Sequence, residues 1–545
     1  MKPPADIVIR GGPIYTAEPH CPFATALAIK NGRIAYIGNE DGATDWIGTG
    51  TETINGADRL VIPGFRDAHI HPINGSLSWV ECPLAGEETA AAYVEKIAVY
   101  EASDLNKPVI RGNGWRQGLF PPAGPHKSLL DKVIPDRPVY LTALDGHSAW
   151  VNSCALRLAG VDGHTPDPTG GKIERDQETG APTGTLREWP AMNLVQACLP
   201  PPHHDDLLGA MEVFMEMAAR AGIVAVHEAA AKREELEIYQ SLAQERRLSV
   251  EIGASLLCEP EAGLDQIERL IALRECYGSE LLRPFSAKIF LDGVIESRTA
   301  FLSQPYAHQP ENRGTTVWDP AEFSAMAAAL DRQGFSLHIH TVGDGAISLA
   351  LAALTAARQR NGMHDRRHQL THLDLLKLND MNRLRDLGAI ANMQPAWFYA
   401  DESFREAILP ALGRGRSNRL YRLYTMLSRG VNVCLSSDWP YSGGVSTFKP
   451  LEAIQVGLTR KSLIGKERHA FHPAERVELS QLIDGFTIHS AFASFRDHET
   501  GSLRVGKLAD LAVLDRNLFA IPPEEVSQSR ILLTLFRGQA VHRDI

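Results

Sequence analysis

Between residues 62 and 499 the chain alternates strand-like and helix-like runs, and no other feature restricts its fold so strongly. The strand candidates are GFRDAHIH (64–71), GIVAVHEA (222–229), LSVEIGASLL (248–257), FSAKIFLDG (285–293), FSLHIHTVGD (335–344), HQLTHL (368–373), GAIANMQP (388–395) and VNVCLSSD (431–438). Segments such as DDLLGAMEVFMEMAARA, ahead of the second candidate, carry the helical spacing of apolar residues. Strands alternating with helices predict βα units on a parallel sheet, and eight units predict a (β/α)8 barrel. In that α/β fold the active site lies at the C-terminal ends of the strands. The first candidate ends at 71 and the second begins at 222, far more chain than one βα connection needs. Residues from about 75 to 205 are therefore expected to form an insertion, rich in Pro and Gly, emerging on the catalytic face as a cap over the pocket.

The two ends of the chain have another texture. Ile7, Val8 and Ile9 are a β-rich run, and Asn31-Gly32 sits between ALAIK and RIAYIG, a strong short signal for a hairpin. LADLAVLD (508–515) and ILLTLFRGQAVH (531–542) repeat this character near the C-terminus. Neither end has enough strands for a stable sheet alone. Residues 1–61 and 500–545 are expected to pair into one small β-domain, with the barrel domain, 62–499, inserted in it.

Composition removes several partners. Lys and Arg number 55 against 66 Asp and Glu, a net charge of −11 with no long basic run, so neither nucleic acid nor an anionic membrane is an expected partner. No stretch approaches the ~20 apolar residues of a membrane helix. MKPPADIVIRGG has no apolar signal-like core. The seven cysteines are scattered and never form C-x-x-C, which favours a reducing, cytoplasmic location. A small-molecule substrate is the expected partner, and a homodimer is compatible with the fold.

The chemistry gathers at the strand ends. His69 and His71 lie two apart on the first candidate, so alternation turns both to one side. His340 closes the fifth candidate, His372 the sixth and Asp438 the eighth. Imidazoles and a carboxylate converging on one mouth suit a divalent ion such as Zn²⁺. Lys288 stands in the apolar run SAKIFLDG, where a cation is costly unless paired or neutralised. It either pairs with a carboxylate such as Asp292, faces outward, or is chemically converted. His338 shares the parity of His340 one inward position deeper, which assigns it to support or packing. Candidate substrate contacts are His227, His147 in the insertion, Trp115, Trp150, Trp397, Trp439 and Arg298. Packing competes with this reading for the histidines and tryptophans, and a structural ion pair for Arg298.

GFRDAHIHP, KIFLDG, HTVGD, THLDLL, SSDWP and the tail TIHSAFASF…GSLRVGKLADLAVLD resemble the metal-dependent amidohydrolase superfamily, in its amidohydrolase family 3 branch containing N-substituted formamide deformylases. LDGHSAWVNSCAL and PTGTLRE extend the resemblance through the insertion. The resemblance implies the barrel with a composite β-sandwich built from both termini. It implies two divalent ions, most simply Zn²⁺, with Mn²⁺ or Fe²⁺ as alternatives. His69, His71 and Asp438 would hold the more buried ion and His340 and His372 the second, bridged by an N-carboxylated Lys288. A lysine desolvated in an apolar strand has a lowered pKa, and its neutral amine can capture CO₂. The implied reaction is hydrolysis of an amide-type C–N bond of an apolar or aromatic N-acyl or N-formyl amine. Asp438 would act as general base and then general acid, with His372 or His340 stabilising the oxyanion. Deaminase, lactonase or phosphotriesterase chemistry at the same metals is the alternative, and a non-catalytic regulatory protein a more distant one. Gly345 stands where relatives carry Arg, and Thr371 where Glu is frequent; both departures bear on the substrate more than on the metals.

Overall fold

The computed structural model describes residues 3–103, 107–143, 148–168, 171–401, 404–441, 447–464 and 469–545. Met1–His71 with Met215–Ile545 form one compact unit, and Pro72–Phe214 a second. Among the described residues no helix is long and apolar enough to cross a membrane.

The first unit holds eight parallel strands: β1 (Phe65–Ile70), β2 (Ile223–Ala231), β3 (Glu251–Leu257), β4 (Leu282–Phe290), β5 (Ser336–Thr341), β6 (Gln369–His372), β7 (Ile390–Met393) and β8 (Asn432–Leu435). They pair in chain order from β1 to β8. The seam between β8 and β1 is drawn together at their C-terminal ends. There Asp438 N donates to His69 O at 2.8 Å and His71 N donates to Trp439 O at 2.9 Å. These are the eight sequence candidates in their expected order, and the fold is the α/β barrel. Helices Arg233–Gln244, Gln266–Cys276, Pro320–Arg332, Asp344–Asn361 and Leu378–Leu387 separate successive strands. Burial on both sides explains why these strands read as apolar runs: every residue of β1, β5, β6 and β7 is buried.

Several strands are shorter than their candidates. His372, Leu373 and Asp438 have φ values of 77°, 56° and 54°, in the left-handed region that L-residues rarely enter. The backbone is therefore left-handed at two of the candidate site residues, His372 and Asp438, a usual place for stored strain. Asp438 stands on the turn beyond β8, not on the strand.

The chain ends meet in one sheet. Strands Ile7–Tyr15, Phe23–Lys30, Arg33–Gly38, Glu52–Asn55 and Leu60–Pro63 join Leu511–Leu514, Ile531–Phe536 and Gln539–Arg543. The junction is the antiparallel pairing of Leu60–Pro63 with Leu511–Leu514. At the hairpin, Asn31 and Gly32 have φ of 50° and 72°, the positive values a two-residue turn requires. The sheet curls back on itself, since Ile34 N donates to Lys507 O and Ala509 N to Gly32 O, each at 2.9 Å. Ile9, Leu27, Ile29 and Ile34 consequently share a core with Leu511, Val513, Leu533 and Leu535.

The second unit has its own six-stranded sheet, in the order Lys172–Arg175, Pro182–Arg187, Ser148–Val151, Val139–Ala143, Ile110–Trp115, Cys82–Pro83. Tyr93, Ile97, Trp115, Leu130, Leu141 and Trp150 are packed together in its core.

Candidate metal centre

His69, His372 and Asp438 are buried, and each offers a donor atom within 4.8 Å of the others. Asp438 Oδ1 is the hub: it lies 3.1 Å from His69 Nε2 and 3.4 Å from His71 Nε2. The opposite ring nitrogen of three of these histidines is engaged from behind. His69 Nδ1 is 2.8 Å from His338 Nε2, His71 Nδ1 is 3.1 Å from Glu228 Oε1, and His372 Nδ1 is 3.0 Å from Gln394 Oε1. His340 packs against His372 with ring centroids 4.5 Å apart, and its Nδ1 lies 3.4 Å from Asp292 Oδ1. The expected ligands His69, His71, His340, His372 and Asp438 are thus brought together at the C-terminal mouth.

The electrostatics suit a cation. Burial, reinforced by the charge of Lys288, holds the His69 pKa well below its usual value, and burial with His340 nearby does the same for His372. Both are neutral imidazoles with a lone pair to give. His71 differs: burial pulls its pKa down, but hydrogen bonds to Asp438 and Glu228 outweigh this and raise it to about 9. Two carboxylates therefore favour positive charge at that ring, whether proton or metal. Burial also opposes the charge of Asp438, yet the surrounding histidines keep its pKa well below the usual carboxylate range.

Lys288 is fully buried on β4, between the positions of Ser286 and Phe290. Its Nζ lies 3.5 Å from His69 Nε2 and 4.7 Å from the centre of the Phe290 ring. Among the described residues no carboxylate forms an ion pair with it. Asp292 is committed elsewhere, accepting from Phe301 N and Val342 N at 3.0 Å and from Gly343 N at 2.8 Å. Burial lowers the Lys288 pKa to about 8, which leaves about a tenth of the amine neutral at pH 7. Outward orientation and pairing with Asp292 are both absent. The donor chemistry, inward-turned nitrogens around a carboxylate and a desolvated amine, fits a divalent metal centre.

The candidate substrate contacts separate. Trp397 stacks on His372, centroids 5.3 Å apart and planes 13° from parallel, and its buried Nε1 has no hydrogen-bond partner among the described residues. Trp439 is buried and packs edge-on to Phe448 at 5.1 Å. Arg298 is exposed at a positive φ of 57°, in no ion pair among the described residues. His227 lies within the barrel, its Nε2 2.7 Å from Ser255 Oγ and 3.1 Å from Ser286 Oγ. Trp115 and Trp150 are completely buried in the second unit, donating to Leu141 O and His126 O. His147 lies outside the described residues.

Sequence reasoning passed over Glu228 and Gln394, which orient His71 and His372. Glu228 also accepts from Tyr239 Oη at 2.9 Å, and Gln394 Nε2 donates to Ser436 Oγ at 2.8 Å. The signal for Glu228 was available: an acid in the apolar run GIVAVHEAA poses the same problem as Lys288. Its neighbour His227 drew the attention instead. Tyr441, whose ring lies 5.0 Å from His71, was also missed.

The model describing the amidohydrolase family matches residues 52–542. The chain belongs to the amidohydrolase family. Two relatives are similar to it almost end to end. The protein LONG AFTER FAR-RED 3 of Arabidopsis thaliana is 30% identical over 99% of this chain and 93% of its own length. The N-substituted formamide deformylase of Arthrobacter pascens is 28% identical over 98% of this chain and 97% of its own. Among solved structures, a metal-dependent hydrolase of Pyrococcus furiosus superposes with a TM-score of 0.75 at 25% identity, covering 94% of this chain and 99% of that one. This amidohydrolase is accordingly an enzyme that acts on carbon–nitrogen bonds, with a candidate metal centre at the barrel mouth.

Proposed function

We propose that this amidohydrolase cleaves the amide bond of small N-formyl or N-acyl amines bearing an apolar or aromatic substituent. The observation that carries the reading is Asp438, whose Oδ1 faces the Nε2 atoms of His69 and His71 at 3.1 and 3.4 Å. His69, His71 and Asp438 would hold one divalent ion, and His340 and His372 a second. Lys288 would join them after its neutral amine adds to CO₂, forming the N–C bond of a carbamate and releasing one proton. Zn²⁺ suits this imidazole and carboxylate set, with Mn²⁺ or Fe²⁺ as alternatives. When bound, such ions lower the pKa of water towards neutrality and polarise a carbonyl oxygen.

The chain's own groups do the rest. Asp438 is kept ionised by its neighbours, so its carboxylate can take a proton from water and return it to the leaving nitrogen. Trp397, Phe290 and Tyr441 set aromatic surface against His372, His340 and His71, respectively. Phe290 and Tyr441 are 37% and 62% exposed, so their rings remain available to an apolar group. The formamide deformylase relative supports the same substrate class.

The test is hydrolysis of matched N-formyl and N-acetyl arylalkylamines, with lactones and aminated heterocycles as competing substrates, by wild type and Asp438→Asn after loading with zinc or manganese. The reading expects amide cleavage by wild type and a ~10²–10⁴-fold lower kcat in the variant, the span of general acid–base contributions. Near-normal turnover by the variant, or a clear preference for lactones or heterocycles, contradicts it.

A further inference from the structure

Behind His69 a chain of buried polar groups continues into the barrel. His338, on β5 and completely buried, places Nε2 2.8 Å from His69 Nδ1 and Nδ1 3.0 Å from Ser255 Oγ. Ser255, on β3, lies 2.7 Å from His227 Nε2 and 2.6 Å from Ser286 Oγ. Ser286 reaches Ala254 O at 3.3 Å. Ser255, Ser286 and His338 are inaccessible to solvent and His227 nearly so, so no water competes for these bonds.

We propose that His338 is a positioning residue for His69: held by Ser255, it fixes His69 as the tautomer whose Nε2 lone pair faces Asp438 and Lys288. The inference rests on reading His69 as a metal ligand. In that tautomer every bond runs one way. His69 Nδ1–H donates to His338 Nε2, His338 Nδ1–H donates to Ser255 Oγ, and Ser255 Oγ–H donates to His227 Nε2. Ser286 Oγ–H is left to donate to Ser255 Oγ across their 2.6 Å contact. Each donor meets one acceptor, and no buried hydroxyl is stranded. Without an acceptor at Nδ1, the His69 proton is free to sit on Nε2, where it bonds the Asp438 carboxylate 3.1 Å away and blocks the metal-facing atom. A group that orients a metal-ligating histidine in this way is worth ~10- to 100-fold in metal affinity.

The side chains that replace His338 separate orientation from packing. Gln carries its amide near the position of Nε2 and can accept from His69. The shorter Asn carries it near Nδ1, where it satisfies Ser255 but not His69. Zinc affinity is measured by chelator competition on wild type, His338→Gln, His338→Asn and His338→Leu. The visible spectrum of the Co²⁺-loaded proteins and thermal unfolding are followed in parallel. The inference expects ~10- to 100-fold weaker zinc binding and an altered Co²⁺ spectrum for Asn and Leu, with Gln near wild type. Equal affinities for Gln and Asn, or a folded Leu variant with wild-type affinity and spectrum, overturn it. If Leu does not fold, the contrast between Gln and Asn decides. A wild-type protein that takes up no divalent ion overturns the metal centre, and this inference with it; variants that all match a metal-binding wild type overturn the inference alone.

Discussion

A lysine with no solvent and no ion-paired acid costs free energy unless it is neutral or converted, and among the described residues Lys288 has neither. Lys288→Met keeps most of the volume and removes the amine. The metal-free variant is expected to unfold at the same temperature as metal-free wild type or a few degrees above it, measured by calorimetry in the presence of chelator. A fall of several degrees shows instead that the amine stabilises the fold. Trp397 is expected to act on substrate and not on metal, since its ring stacks on His372 while Gln394 holds that imidazole from behind. Trp397→Ala should raise KM for an aromatic amide by about 5-fold with metal content unchanged, the scale of ~1 kcal/mol for an aromatic contact. An equal loss of metal would show that the ring holds His372 in place.

The elements supply what single residues cannot: several strand ends bring candidate ligands together, and for two of them a neighbouring strand brings the group that orients the ring. His71 beyond β1 is held by Glu228 of β2, and His372 of β6 by Gln394 just beyond β7. Glu228→Gln keeps the size but loses the charge, and is expected to weaken zinc binding by at least ~10-fold in chelator competition. Unchanged affinity would reduce Glu228 to packing. The strands were legible because a parallel barrel buries both faces of each strand, leaving unbroken apolar runs in the sequence. The convergence of His69, His71, His340 and His372 was legible because they close separate strand candidates, whose C-terminal ends meet at one mouth in a barrel. Glu228 and Gln394 were not, because their roles depend on which groups face them across strands, which one sequence does not give. Asp438 lies beyond the end of β8, not on it, and there its N donates to His69 O, a contact 369 residues away in sequence that one sequence does not give.

At the scale of the whole molecule, the barrel end opposite the metal mouth is tied by charge. Glu251 at the start of β3 accepts from Arg66 of β1 at 2.9 Å and from Arg496 at 3.2 Å, with all three buried. Burial raises the Glu251 pKa, but the two guanidiniums outweigh it and bring it below the ordinary value of 4.5. A depressed carboxylate pKa contributes stability that is complete above the unfolded value and lost as pH falls through the folded one. Urea unfolding should therefore show a contribution present at neutral pH that fades below about pH 4.5. Glu251→Ala should cost ~3–5 kcal/mol at pH 7, because it leaves buried arginines uncompensated, and less in acid. A pH-independent loss would mean that packing, not charge, is at work. Unlike this network, the mouth gathers a candidate metal centre, and counting ions tests that reading most directly. Metal content per chain, by plasma mass spectrometry on zinc-loaded and desalted protein, is predicted to be two for wild type and below one for Lys288→Met. A wild-type protein with none, or a Lys288→Met variant that still holds two, would contradict a centre in which Lys288 joins the metals.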